Sequence, residues 1–146
     1  MDNYEVLRAT DEWQRAGAYF VRIYGMNKAH HISLRDEFDD YDTYGTKYIV
    51  LLDDGYPFAT CRFYEKNKTS VVLGRVVVIP EYRGKNLGAK TMIEAEKWIK
   101  ELGYKKIIID SRVEVVGFYE KLGYKHVCDT VCKCGVFGCV KMEKEL

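Results

Sequence analysis

Residues 70–102, SVVLGRVVVIPEYRGKNLGAKTMIEAEKWIKEL, constrain this chain more tightly than any other stretch. A β-branched run reads as a buried strand, and it must stop at Pro80, which has no amide to give a neighbouring strand. Gly74 inside that run predicts a bulge or a close backbone approach. After the short loop EYRGKN the texture changes. Leu87, Thr91, Ala95, Trp98 and Leu102 fall on one helical stripe with Lys and Glu between them, and Gly103 is placed to end the helix. The next apolar run, KKIIID, supplies another strand, so the chain carries at least one strand-helix-strand crossover of the right-handed kind.

The remaining segments fit around that unit. YEVLRA, residues 4–9, predicts a strand, and Thr10 or Asp11 can cap a helix running to about Tyr24. Trp13, Ala16, Phe20 and Ile23 recur at helical spacing and are expected to face the core. Residues 25–45, GMNKAHHISLRDEFDDYDTYG, are polar and acidic and predict a loop with a helical turn or two, a type of segment that often shapes a binding site. TKYIVLL and FATCRFYE flank DDGYP and should form a hairpin, with KNKT making a second turn before Ser70. EVVGFYEKL predicts a short helix ended by Gly123, and YKHVCDTVC with VFGCVKME a closing antiparallel pair. The pattern is a mixed α/β layer fold with mostly antiparallel strands.

Composition narrows the function classes. At 146 residues, 47% hydrophobic and 31% charged, the chain suits one domain spanning 1–146. No apolar run approaches a bilayer span, and the N-terminus lacks the zones of a secretory signal, so a cytoplasmic protein without a membrane partner is expected. A net charge of +1 provides no general field for nucleic acid, so any anion site must be local. Five cysteines without an export signal argue against a disulfide framework. Cys128, Cys132, Cys134 and Cys139 crowd the C-terminus without a C-x-x-C pair, which favours ordinary packing over a metal or redox site.

The loop EYRGKN reads either as a pyrophosphate cradle or as a basic surface turn between strand and helix. A strand that ends at Pro80 and a helix that begins near Leu87 aim unpaired amides at one point, and the helix dipole adds positive potential there. Arg83 and Lys85 contribute charge. Gly84 and Gly88 remove side chains that would hold a pyrophosphate away from the backbone, and Gly88 costs about 1 kcal/mol of helix propensity relative to alanine. The loop is neither a Walker loop nor G-x-G-x-x-G.

VVVIPEYRGKNLGAKTM resembles the acyl-CoA-binding motif of the GNAT superfamily of N-acetyltransferases, [Q/R]-x-x-G-x-[G/A] between a strand and a long helix. Arg83 fills the first place and Gly88 the last, while Asn86 replaces the middle glycine and tolerates the positive φ that a glycine would supply. IIIDSRVEVVGFYEKLGYKHV is similar to the family's later N-x-x-A-x-x-F-Y-x-x-x-G-F block through Phe118, Tyr119, Gly123 and Tyr124, with Arg112 in place of the asparagine and Val115 of the alanine. The Arg-Val combination, RDEFDDYD and VKME look most like the small ElaA-like bacterial subgroup.

The resemblance implies a GNAT-like fold, with a mostly antiparallel mixed sheet, helices on both faces and a splayed strand pair that receives acetyl-CoA as co-substrate. It implies that Val76, Val77 and Val78 hold the pantetheine arm through main-chain groups. Arg83, Gly84, Lys85, Asn86, Leu87, Gly88 and Ala89 would offer amides to the pyrophosphate. Acetyl transfer to a small-molecule or peptide amine would proceed by direct attack, with backbone amides near Val78 facing the oxyanion and Tyr119 as general acid. No metal is expected, and many relatives pair as homodimers. Asp110, Glu37 and Asp39 are candidates for the base. His30, His31 and Arg75 are weighed for the site and set aside. A catalytically weak or inactive acyl-CoA sensor is the alternative, and a zinc or redox module on the cysteines a third.

Overall fold

The structure is a computed structural model that describes residues 4–43, 45–128 and 130–146. Tyr44 in the polar loop, Asp129 in the first strand of the closing pair, and residues 1–3 lie outside the described residues. The elements in order are β1 (Tyr4–Ala9), α1 (Glu12–Arg22), a π-helical segment (Ile23–Asn27), α2 (Lys28–His30), α3 (Leu34–Glu37), β2 (Lys47–Asp53), β3 (Tyr56–Glu65), β4 (Ser70–Val78), a 3-10 turn (Pro80–Tyr82) and α4 (Leu87–Glu101). They continue with β5 (Lys106–Arg112), a second 3-10 turn (Val113–Val115), α5 (Val116–Lys121), β6 (Lys125–His126), β7 (Cys132–Cys134) and β8 (Phe137–Glu145).

One mixed sheet runs in the order β1-β2-β3-β4-β5-β8-β6, with β7 added beside β8. Only β4 and β5 are parallel, and α4 is the crossover between them. The β2–β3 hairpin turns through Asp54 and Gly55, both at positive φ as the tight turn requires. The expected closing pair is present in altered form. YKHVCDTVC supplies β6 and only the first residue of β7, and both short pieces pair with β8.

Alternation in β2 divides the core. Ile49 and Leu51 join the larger cluster with Met92, Ala95 and Ile99 of α4, whereas Tyr48, Val50 and Leu52 face Ala18 of α1 on the opposite side. Helices therefore cover both faces. Each fully buried Ile or Met of α4 contributes roughly 1.5–3 kcal/mol of apolar burial. The stripe read for α4 is correct at Leu87, Thr91 and Ala95, half-correct at Trp98, and wrong at Leu102, which is exposed. Among the described residues, no helix is long and apolar enough to cross a membrane.

The stripe read for α1 holds only at Phe20, which is half-buried against the core, and fails at Trp13, Ala16 and Ile23. Trp13 and Ile23 are exposed, and the buried positions are Ala18, Val21, Arg22 and Gly25, on the other side of the helix. Small residues there let the helix approach the sheet, and Arg22 can be buried because carboxylates neutralise it. A Cβ added at Gly25 would lie 2.5 Å from Val77 Cγ1, inside any tolerable contact. Gly25→Ala is thus expected to lower unfolding free energy by about 1–3 kcal/mol in urea denaturation, and a change below about 0.5 kcal/mol would contradict this packing.

Candidate functional site

The site begins where β4 and β5 part. They pair at Ser70↔Lys106, Val71↔Ile107 and Val72↔Ile108 and no further, after which β4 stays with β3 and β5 with β8. The opening leads into a cleft of about 1170 Å³ that reaches the start of α4 and the side of α5. β4 is also bulged. Arg62 faces Gly74 and Thr60 faces Val77, so two steps on β3 match three on β4. The bulge expected from Gly74 is present, but the positive φ, 52°, belongs to Arg75, and a Cβ at Gly74 would meet nothing within 4 Å. The close approach at Gly74 is thereby corrected.

Hydrogen-bond geometry decides what the three valines can offer. The Ile79 N–H donates to Phe58 O at 2.9 Å, which brackets the Ala59↔Val78 pair as one whose own N–H and C=O turn away from the partner strand. Val78 therefore directs its N–H into the opening between β4 and β5. Val77, one step back, directs its main-chain groups to Thr60 on β3, so it is not available for the role expected of it. Val76 lies in the bulged segment and lines the cleft.

The loop after Pro80 also divides its expected donors. The Arg83 N–H is engaged by Pro80 O at 3.3 Å. Its guanidinium donates to Val78 O at 2.8 Å through Nε and to Gly25 O at 3.3 Å through Nη2. Arg83 therefore braces the loop against the strand end rather than adding a free charge. Gly84 has φ 82° and Asn86 φ 59°, so the asparagine adopts the left-handed conformation that a glycine would have supplied. Leu87, Gly88 and Ala89 open α4, where amides have no intrahelical acceptor; the Lys90 N–H to Asn86 O bond, 3.2 Å, follows them. Gly84, Asn86, Leu87 and Gly88 line the cleft, whereas Lys85 and Ala89 do not. Lys85 instead places its ammonium 5.7 Å from the centre of the Tyr82 ring.

Smallness at Gly88 has a cause beyond access to the backbone. A Cβ there would sit 3.3 Å from Phe118 Cζ and 3.8 Å from Val78 Cγ2, so glycine lets α5 close onto α4. Asn86→Gly should keep the loop and stay within about 0.5 kcal/mol of the parent, because the Asn86 side chain makes no capping bond. Asn86→Val should cost about 1–2 kcal/mol on thermal or chemical unfolding. Equal stability of the two variants would remove the conformational argument.

Tyr119 lines the same cleft. Its ring is 5.0 Å from Phe118 and 5.9 Å from Tyr124 in edge contacts, and Tyr124 is itself fixed by donating to Glu96 Oε2 at 2.8 Å. Burial, then the neighbouring Cys61 thiol, push the Tyr119 hydroxyl well above the usual phenol range, with Arg112 pulling weakly the other way. The hydroxyl therefore stays protonated at neutral pH.

On the other wall lies a charge network that the sequence reading did not assemble. Arg22, with no solvent exposure, donates to Glu37 Oε2 at 2.9 Å and to Asp42 through two bonds of 2.7 and 3.0 Å. Arg62 joins Asp39 and Asp42, and Arg75 joins Glu37 and Asp39 at 3.1 and 3.2 Å. These pairs hold Arg75 in its positive φ. Burial alone would raise the Asp39 carboxyl, but Arg62 and Arg75 outweigh it and keep it below its ordinary value. Asp39 is consequently a poor base, and Glu37 is committed to Arg22 and Arg75. Asp110 and Asp36 also line the cleft and form no ion pair among the described residues. His31 lines it too, while His30 packs on Phe137 at 5.2 Å.

Signs of the network were present in the sequence: Arg22 beside an apolar helix stripe, Arg62 inside FATCRFYE, and the acids of RDEFDDYD between them. Of the cysteines, Cys61 is buried and its thiol is pushed up to about 12 by burial; Cys139 is raised to about 12 by burial and then by contact with Cys134. Cys128 and Cys132 are exposed. Among the described residues, no cluster of three His, Cys, Asp or Glu side chains is placed to hold a metal.

The family model of the Acetyltransferase (GNAT) family matches residues 8–124. The chain belongs to the GNAT acetyltransferase family. An uncharacterized acetyltransferase of Streptococcus pyogenes serotype M1 is 33% identical over 92 residues, 63% of this chain and 65% of that protein, so the match spans a little under two thirds of the relative's length. The crystal structure of a Lactobacillus plantarum protein assigned as an N-acetyltransferase superposes with a TM-score of 0.91 at 28% identity, covering 98% of each chain. Escherichia coli ElaA shares the fold, with a TM-score of 0.80 at 19% identity over 99% of this chain and 100% of that one. The likeness to the ElaA-like subgroup is thus found at the level of the fold.

Proposed function

We propose that the chain moves an acetyl group from acetyl-CoA to a primary amine of a small molecule or peptide by direct attack in a ternary complex. One observation carries this reading: the Val78 N–H, the start of α4 and the Tyr119 side chain converge on a single cleft opened by the parting of β4 and β5. The cleft fits the donor by its chemistry. The amides of Gly84, Asn86, Leu87 and Gly88 line it at the positive end of a 15-residue helix, where a diphosphate is stabilised, and those of Lys85 and Ala89 flank it. The parted edge of β4, through Val76 and Val78, suits the amide-bearing arm. Val77 braces that edge from behind.

Acetyl-CoA supplies the activated thioester carbonyl. The Val78 N–H is aimed where a carbonyl oxygen gains charge, a donor that needs no reorganisation at the moment of reaction. The Tyr119 hydroxyl gives a proton to the departing sulfur. Asp110, exposed and without an ion pair among the described residues, accepts the proton that the amine releases. The exchange balances, since one N–H and one thioester become one amide and one thiol.

The test is free-thiol release from acetyl-CoA across a panel of amines, beside calorimetric titration with CoA. Release above the amine-free background, with a measurable heat of CoA binding, is expected. Heat without release from any amine would replace transfer by the sensor reading, and no heat would remove both.

A further inference from the structure

The four arginines that line the cleft are not equally committed. Arg62 and Arg75 belong to the network with Arg22, in which three guanidinium groups face the three carboxylates of Glu37, Asp39 and Asp42, and the set is neutral within itself. Arg83 is bound to the carbonyls of Val78 and Gly25. Arg112 is different. Among the described residues its one ion-pair partner is Glu114, at 3.4 Å from Nε and mostly exposed, longer than the roughly 2.7–2.9 Å of a charge-assisted bond. Its Nε is buried without a hydrogen-bond partner, as are those of Arg62 and Arg75, but those two donate through their Nη atoms whereas Arg112 makes no side-chain hydrogen bond among the described residues. The guanidinium lies 4.3 Å from the centre of the Phe137 ring, which supports its flat face and leaves its donor edge free.

The placement of Arg112 gives that edge a purpose. Asp110 and Arg112 are two apart on β5, so both side chains leave the same face, opposite the buried Ile109 and Ser111. Their origins are about 7 Å apart along the strand. A carboxylate acceptor and a planar donor, each without a hydrogen-bonded side-chain partner among the described residues, therefore stand side by side in the cleft that also holds Tyr119. One can take an ammonium or amine, and the other a carboxylate in two parallel bonds.

We propose that Arg112 selects acceptors carrying a carboxylate a few bonds from the primary amine, the chemistry of a free amino acid, with the amine directed to Asp110. This rests on the acetyl-transfer reading above and narrows its substrate class. A structural role, packing on Phe137 to hold the β7–β8 turn, is the competing explanation for the same contacts.

The experiment uses matched acceptors: phenylalanine with phenethylamine, methionine with 3-methylthiopropylamine, and lysine with cadaverine. Thiol release yields kcat/KM for each, and Arg112→Gln and Arg112→Lys are compared with the parent. The parent should favour the carboxylated member of at least one pair. Arg112→Gln should reduce that preference ratio by about 10- to 100-fold, through KM rather than kcat. Arg112→Lys should recover part of it, since charge returns without the fork. CoA calorimetry on each variant checks that the donor half is folded. A parent preference for the amines, or a ratio unchanged in Arg112→Gln, overturns the inference while transfer stands. A variant whose CoA heat is lost along with its ratio supports the structural role and also overturns it. No thiol release from any member, with release from other amines of the panel, overturns the inference, and no release from any amine at all removes the acetyl-transfer reading itself.

Discussion

Tyr119→Phe lowers kcat about 100-fold while the heat of CoA binding stays close to that of the parent, if the proposed reaction is correct. The expectation has three parts. The hydroxyl donates to no protein acceptor among the described residues, so its removal breaks no bond and leaves the ring contacts with Phe118 and Tyr124 in place. Thermal stability should therefore change little. Secondly, the diphosphate is assigned to backbone amides at the start of α4, which the substitution leaves unchanged, so donor affinity should persist. Thirdly, its burial raises the pKa above the ordinary phenol value of about 10, so the proton is present throughout the neutral and mildly alkaline range. A phenol so weakly acidic does not hand a proton freely to an exposed thiolate. The same burial, however, raises the basicity of a sulfur that departs beside it. Because the protonated phenol is the active form, Tyr119 itself produces no loss of rate as pH rises to about 9. Steady-state rates from pH 6 to 9.5 check this. A variant with parental kcat would place the acid elsewhere, and an alkaline decline below pH 9 present in the parent but absent from the variant would mean that Tyr119 titrates in that range and is not raised by burial.

Legibility of the chain followed the range of the interactions involved. The strand, loop and helix at residues 70–102 were readable because their signals are local: a β-branched run, a proline and an apolar stripe. The hairpin at Asp54 and Gly55 was readable for the same reason. Two things were not. The buried side of α1 was misread because hydrophobicity chose Trp13 and Ile23, whereas close approach to the sheet requires Ala18 and Gly25 and a neutralised Arg22. Arg83 was read as a charge for the ligand, but its neighbours in space, the carbonyls of Val78 and Gly25, take its donors. In both cases the deciding partner lies far along the sequence or on a backbone atom that no residue pattern reveals. The register of β4 against β3, which assigns opposite duties to Val77 and Val78, is likewise a property of the sheet and of the bulge at Arg75.

Arg22→Leu should destabilise the fold by about 3–5 kcal/mol at pH 7, more than any apolar truncation of similar size on the surface. The side chain fits the space, but the change leaves Glu37 and Asp42, both nearly buried, without the guanidinium that holds them. Asp42 would then rely on Arg62 and the Tyr48 hydroxyl at 2.8 Å. The pH dependence separates this mechanism from a simple packing defect. In the parent, burial would raise the Asp42 carboxyl, but Arg22 first, then Arg62 and Tyr48, hold it well below the usual carboxylate range. A depressed folded pKa contributes stability that is present above the unfolded value of about 3.9 and is lost as pH falls toward the folded one. Without Arg22 the balance at Asp42 shifts toward burial, its folded pKa rises, and acidification costs the variant less than it costs the parent. The stability difference between the two should therefore narrow between pH 6 and pH 3 in urea titrations. A constant difference across that range would mean that Arg22 acts by filling space. The same experiment bears on the cleft, because Glu37 is shared by Arg22 and Arg75, and Arg75 forms the bulge that sets the register of Val78. Through this network, the stability of the loop before β2 and the aim of a backbone N–H in the cleft are one physical property.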